Sequence, residues 1–160
     1  MLKLYKRTSG EFRYHEAWSN DDIVTEHWGI VGEQGESQEH RLARGEPNED
    51  AVIRVLQPAL GLGFTPISID EHAIIVIEYA IEGVGTPQDL TKRQTLENHI
   101  SETLGWTGLG NCDGGSIGSG TMEVYCYVVD FDVAQRVIEA DLKDTEYEDY
   151  TRIYCQNDSD

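Results

Sequence analysis

Nowhere in this sequence do more than five aliphatic residues follow one another, and the five that do are Ala73-Ile74-Ile75-Val76-Ile77. A helix that crosses a bilayer needs about 20 apolar residues in succession, so no membrane-spanning segment is expected. A run this short and this β-branched suits a strand covered on both faces. The rest of any core must come from short alternating runs and single helical stripes, the pattern of an α+β chain.

The first such runs lie close together. Leu2-Lys3-Leu4-Tyr5-Lys6 alternates apolar and polar residues as a half-buried strand does. Ser9-Gly10 turns the chain into the aromatic run Phe12–Trp18, and Asn20-Asp21-Asp22 turns it again into Ile23–Gly32. Gln34-Gly35 leads to a weaker fourth strand over Glu36–Ala43. The expectation is an antiparallel meander. A helix should start near Glu46, with Pro47 in its first turn and Glu46, Glu49 and Asp50 at the positive end of its dipole. Ala51, Val52, Val55, Leu56, Ala59 and Leu60 make one apolar face. Pro58, which lacks a donor and crowds the preceding turn, should kink or end the helix, with Gly61 and Gly63 stopping it.

Trp28-Gly29-Ile30-Val31-Gly32-Glu33-Gln34-Gly35 resembles the motif of the WGR domain: Trp-Gly-Arg, a glycine two residues on and another three beyond. The aromatic strands before it, the helix carrying Ala51 and Val55, and Gly63-Phe64 where the family usually has Gly-Tyr extend the resemblance over residues 1–66. WGR domains occur in poly(ADP-ribose) polymerases, where they help bind DNA ends and pass the signal on, and in bacterial proteins. The resemblance therefore implies a DNA-associated accessory role, with Trp28 and Arg54 as contacts. Ile30 stands where the family has its arginine, and an isoleucine pairs with neither phosphate nor a neighbouring domain. That departure counts against DNA binding by the family's mode.

Residues 67–155 follow a different order: strand, helix, strand, strand, helix, strand. Ala73–Tyr79 is the first strand. Thr86-Pro87-Gln88-Asp89 caps a helix with Leu90, Leu96, Ile100 and Leu104 on one side and Gly105 at its end. Asp113-Gly114-Gly115-Ser116 is a strong hairpin signal before the strand Met122–Val129. Asp130 or Asp132 caps a second helix bearing Val133, Ala134, Val137 and Ile138, and Tyr150–Cys155 closes the sheet. The order is that of the split βαβ, or ferredoxin-like, arrangement. The glycine-rich stretch 113–120, followed by a strand ending in Asp130, resembles some bacterial toxin-immunity families. The acidic tail 156–160 is expected to be disordered.

Charge separates the two modules. The chain carries 12 basic and 30 acidic side chains, a net of −18. Residues 1–66 hold 7 basic and 11 acidic residues, and residues 67–160 hold 5 and 19, so the second module carries −14 of the total. This disfavours general affinity for nucleic acid or anionic membrane, and a basic partner would meet the chain in its second half. Asp144-Thr145-Glu146-Tyr147-Glu148-Asp149 concentrates four acids around an aromatic, with Tyr147 the expected buried anchor for such a partner.

Catalytic chemistry finds no constellation. The glycine-rich loop leads into a strand and lacks the lysine of a phosphate cradle. Asp113, Glu123, Asp130 and Asp132 are the candidate carboxylate cluster, with Asp130 and Asp132 better explained as helix caps. His15, His27, His40, His72 and His99 show no metal-ligand spacing, and no cofactor is implied. Cys112, Cys126 and Cys155 cannot all pair, lack a C-x-x-C, and read as reduced thiols in a reducing, cytoplasmic setting, in keeping with an N-terminus that lacks the apolar stretch of a signal peptide. The expectation is a non-enzymatic interaction protein, monomeric or homodimeric, that binds a protein partner in an immunity-like or regulatory role. A DNA-associated module and a small-molecule-binding regulatory domain are the alternatives.

Overall fold

A computed structural model describes residues 1–158. The chain divides into two compact units, Met1–Ser68 and a second from Ile69 onward.

In the first unit, β1 (Leu2–Thr8), β2 (Glu11–Asn20), β3 (Ile23–Ile30) and β4 (Glu36–Arg41) form one antiparallel sheet in sequential order. Alternation brings Leu4, Ala17 and Val24 to one face, where they are buried with Phe64 against Ala51, Val52, Val55, Leu56 and Ala59 of α1 (Asn48–Gly61). Pro47 sits just before the helix in an extended conformation. The helix runs three residues past Pro58 and stops at Gly61, one of the two glycines expected to stop it. The proline lies in the last turn, and the amides of Leu62, Gly63 and Phe64 close onto the carbonyls of Pro58, Ala59 and Leu60. Thr65 then exchanges two backbone hydrogen bonds with Tyr5, covering part of the outer edge of β1.

The opposite sheet face holds a buried polar network. Glu16 on β2 and His27 on β3 are direct register partners, 3% and 1% exposed. Glu16 Oε1 lies 3.0 Å from His27 Nδ1, while His27 Nε2 lies 2.5 Å from the Gln34 carbonyl oxygen. A carbonyl only accepts, so Nε2 carries a proton, and Nδ1 facing a carboxylate carries the other. Both contacts favour the doubly protonated ring. Burial pushes its pKa down, but the Glu16 carboxylate and the Gln34 carbonyl outweigh that and leave it above the ordinary 6.5. Tyr14 donates to the Glu33 carbonyl oxygen at 2.7 Å and lies 3.2 Å from His27 Nε2. Two side chains thus tie down consecutive carbonyls of the segment between β3 and β4.

The same segment explains two glycines. A Cβ on Gly29 would lie 2.9 Å from the Gly35 Cα and 3.0 Å from the Tyr14 hydroxyl. Gly35 has φ +67, and a Cβ there would run into the Trp28 carbonyl oxygen. The two glycines let the loop fold flat onto β3 beneath Tyr14.

The second unit contains β5 (Ala73–Ala80), α2 (Pro87–Trp106), β6 (Gly110–Gly118), β7 (Thr121–Val128), α3 (Phe131–Leu142) and β8 (Arg152–Cys155). Its sheet has the order β6-β7-β5-β8, antiparallel throughout. Thr86 and Asp89 form a reciprocal capping box on α2, and Asp130 accepts from the Val133 amide at 3.1 Å to cap α3. Both helices lie on one face of the sheet. Lys92 of α2 stands 4.7 Å above the Tyr79 ring, and Thr103 of α2 donates to Asp141 of α3. Leu96, Ile100 and Leu104 are buried on α2, but Leu90, expected on the same stripe, is 40% exposed.

Three expectations need correction here. The signal at Asp113–Ser116 is not the hairpin turn. The strand continues to Gly118, and Ser119 (φ +52) and Gly120 (φ +86) make a tight turn with two left-handed residues. Asp113–Gly115 instead forms a bulge, the register slipping between Cys112 and Gly115. With the turn relocated, Cys112 falls directly opposite Cys126, and the two are disulfide-bonded. The thiols of this pair are therefore not reduced, and the cysteine count no longer argues for a reducing compartment. Finally, Gln156–Asp158 form a short 3₁₀ turn in which Asn157 accepts from the Ile74 amide at 2.7 Å; residues 159 and 160 of the expected disordered tail lie outside the described residues.

Because the folded pKa of His27 lies above its unfolded value, its pair with Glu16 stabilises fully below about pH 6.5, and that contribution is lost as pH rises through the folded value. With Trp106→Phe in the second unit, so that Trp18 and Trp28 report the first, denaturant unfolding at pH 6 and pH 9 should show a larger loss of stability at high pH with His27 in place than with His27→Gln. Equal slopes in the two proteins would mean that the imidazole does not titrate with folding.

Candidate protein-binding face

β5 and β7 differ in what they show on the sheet face away from the helices. Met122, Val124, Cys126 and Val128 of β7 are fully buried, and the alternate residues Glu123, Tyr125 and Tyr127 are partly exposed. Register extends that second row across the sheet. Ser116, Glu123, Glu78 and Arg152 stand side by side from β6 to β8, and Tyr125, Val76 and Tyr154 form the next row. The face therefore gathers phenols, two carboxylates and one guanidinium.

These groups are already connected. Arg152 forms a forked pair with Glu78, at 2.9 and 3.4 Å, and its guanidinium carbon lies 4.0 Å from the centre of the Tyr154 ring. The Tyr125 hydroxyl donates to Glu123 at 2.8 Å and lies 3.1 Å from the Ser116 hydroxyl. Ser116 pulls the Tyr125 pKa down, but burial and the Glu123 carboxylate outweigh it and hold the phenol above its ordinary value. Partial burial, followed by the field of Glu123, raises Tyr154 in the same way. Both phenols are thus neutral at neutral pH. Glu78 and Glu123 against Arg152 leave the row one negative charge in surplus.

The residues expected to carry function lie elsewhere. Trp28 is half-buried and stacks on His15 with ring centres 5.7 Å apart. Arg54 spends its fork on Glu46, at 2.9 and 3.0 Å. Tyr147 is only 8% exposed, buried within its own unit, and the Tyr79 hydroxyl donates to its carbonyl at 2.7 Å. It is filled into the fold and is not available as an anchor. Asp149 pairs with Lys92, Glu148 accepts from the Asp144 amide, and Asp144, Glu146, Glu148 and Asp149 remain exposed. That loop is a tied-down acidic rim.

The histidines and carboxylates are likewise used in pairs. Glu26 is shared between His15, at 2.5 Å, and His40, at 2.8 Å, and His99 pairs with Asp141. Among the described residues no group of three or more His, Cys, Asp or Glu stands where it could hold a metal ion, and no helix is long and apolar enough to cross a membrane. No family model, curated protein or solved structure matches this chain.

Sequence reasoning missed this face because Tyr154 and Glu78 join Tyr125 and Glu123 only through the strand order. The alternation Glu123-Val124-Tyr125-Cys126-Tyr127 was the available signal, since it marks an outward row of tyrosines opposite a buried one.

The different placements of Tyr147 and its acidic neighbours predict opposite mutational costs. Tyr147→Ala should destabilise the second unit by about 3 kcal/mol through the cavity it leaves. Changing Asp144, Glu146 and Glu148 together to their amides should cost less than about 1 kcal/mol. Thermal unfolding of the three proteins distinguishes them, and a mild effect of Tyr147→Ala would return that ring to the surface.

Proposed function

We propose that this chain is a non-enzymatic interaction protein whose second unit binds a basic protein segment on the tyrosine face of its sheet. The observation that carries the proposal is Arg152. The chain's own guanidinium is seated there between a tyrosine ring and a carboxylate. Glu123 and Tyr125 offer a second phenol and carboxylate next to it, with the surplus negative charge still unmatched. A lysine or arginine from a partner finds on this face the same combination of π surface and carboxylate.

Two further readings of fold belong to this proposal. The element order of the second unit and the strand order β6-β7-β5-β8 support a ferredoxin-like domain, a scaffold that presents one sheet face free of its own helices. In the first unit, the four-stranded meander, the packed helix and the close fit of Gly29 and Gly35 support a WGR-like module. Ile30 and the engagement of Arg54 by Glu46 weigh against a DNA-binding role for it.

A decapeptide alternating arginine and glycine serves as the probe. Titrated into the full chain at low salt, it should shift the NMR resonances of Glu123, Tyr125, Arg152 and Tyr154. Glu123→Gln and Tyr154→Ala should each weaken binding by about 5- to 10-fold, and duplex DNA should leave these resonances in place. Shifts confined to residues 144–149, or spread evenly over all acidic side chains, would reduce the binding to diffuse charge attraction and overturn the proposal.

A further inference from the structure

We propose that Cys112 and Cys126 form a reversible thiol–disulfide pair, opened by an external dithiol and closed by an external disulfide, that controls how firmly the β6 edge is held to its sheet. The proposal does not depend on the binding reading above. It rests on where the two sulfurs sit.

Cys112 and Cys126 oppose one another on neighbouring strands, and the register slips immediately after them. β6 is an edge strand, paired only to β7, so the bond staples the last regular pair before the bulge. The two sulfurs differ in access. Cys112 is half-buried on the edge, whereas Cys126 is fully buried in the row Met122, Val124, Val128. Of the two, Cys112 offers an incoming thiolate the readier access.

The exchange balances as follows. A thiolate of the dithiol attacks Cys112 Sγ, the Sγ–Sγ bond breaks, and Cys126 leaves as a thiolate that takes up a proton. The second thiol of the dithiol then attacks its own sulfur in the mixed disulfide and releases Cys112, which is protonated in turn. Two electrons and two protons pass to the protein, and the dithiol becomes a cyclic disulfide. The third cysteine cannot play the resolving part in place. Ile75 of β5 faces both Cys126 and Cys155, which puts Cys155 two strand spacings, about 9.5 Å, from Cys126. Hence the second thiol must come from outside.

The fold keeps other holds on β6 once the bond opens. Ser101 of α2 accepts from the Cys112 amide at 3.3 Å, and Glu97 of α2 accepts from the Gly114 amide at 3.1 Å. Register pairs continue on the far side of the bulge from Gly115 to Gly118. A reduced Cys126 remains a small apolar core residue. Reduction should therefore loosen one edge without unfolding the unit.

The test uses the full chain with Cys155→Ser, so that only this pair reacts. Dithiothreitol applied without denaturant and then removed should leave two thiols, counted by maleimide mass shift only after the treated protein is denatured, and glutathione disulfide applied to the folded protein should remove both. Circular dichroism should be unchanged between the states. Amide exchange over Gly110–Gly118 should quicken at least about 10-fold on reduction while β5 changes less than about twofold. A Cys112→Ser, Cys126→Ser variant should fold and exchange like the reduced protein. Opening only in denaturant, thiols that stay reactive after the oxidant, unfolding on reduction, or unchanged exchange in β6 would each overturn the proposal.

Discussion

The second unit is organised by the burial of one strand on both of its faces. Ile75, Val76 and Ile77 of β5 have no exposed surface at all, which an edge strand cannot achieve. β5 must therefore lie inside the sheet, with β7 on one side and β8 on the other. Because β6 reaches the sheet only by a tight turn into β7, it is forced to the outer edge. The rest follows from that placement. Tyr154 and Tyr125 come to flank Val76, Arg152 and Glu123 come to flank Glu78, and the cysteine pair is left at the margin. Central burial thus fixes both the composition of the tyrosine face and the exposure of Cys112.

The first unit is held by different means on its two sides. Against α1 it packs aliphatic side chains, a non-directional arrangement that tolerates neighbouring shapes. On the other face it commits charge to the interior. Glu16 Oε1 is met by His27, yet Glu16 Oε2 is buried with no hydrogen-bond partner among the described residues. Leaving a carboxylate oxygen in this state costs stability, and removing either member of a buried pair costs more than the pair contributes. What the pair provides is position. It orients an imidazole ring whose Nε2 proton reaches the Gln34 carbonyl, and Tyr14 secures the preceding carbonyl beside it. Beyond the buried Val31, the loop is thereby fixed by polar contacts, and Gly29 and Gly35 are the residues that make its conformation sterically accessible.

Periodicity made most of the elements legible, and topology explains what it hid. Alternation in the first strand, the aromatic run of the second and the turn residues between strands marked the first sheet, and the Thr86–Asp89 box marked the start of α2, because these signals are local. The turn between β6 and β7 was misplaced because Asp-Gly-Gly-Ser carries every residue a hairpin turn prefers, and a bulge uses the same residues. That single error concealed the disulfide: a turn at Gly114-Gly115 would place Cys112 opposite a residue near position 117. Pro58 costs α1 one amide donor within its last turn, and the carbonyls left open at the end of the helix are met by the amides of Leu62, Gly63 and Phe64. Tyr147 was expected to be buried by a partner, whereas β5 and α2 of its own unit, distant in sequence, already supply its contacts.

The separation of Tyr147 from its acidic neighbours also divides the work that charge and aromatic surface perform. Long-range attraction scales with net charge and is screened within about 8 Å at physiological ionic strength. For a basic partner of the kind proposed, the exposed acids of residues 144–149, like the −14 carried by residues 67–160, would act on the approach and chiefly raise the association rate. They do little to hold it, since exposed ion pairs contribute at most about 1 kcal/mol each. Retention requires partly desolvated contacts, and in the second unit the tyrosine face offers neutral rings next to half-buried carboxylates. Glu78 is 13% exposed and already holds one guanidinium against Tyr154. The bulged edge bears directly on this surface, because Ser116 of β6 lies within hydrogen-bonding distance of the Tyr125 hydroxyl, which in turn donates to Glu123. The tyrosine face and the strand that carries Cys112 are thus joined through Ser116, Tyr125 and Glu123, and a loosened β6 would be felt first at Tyr125.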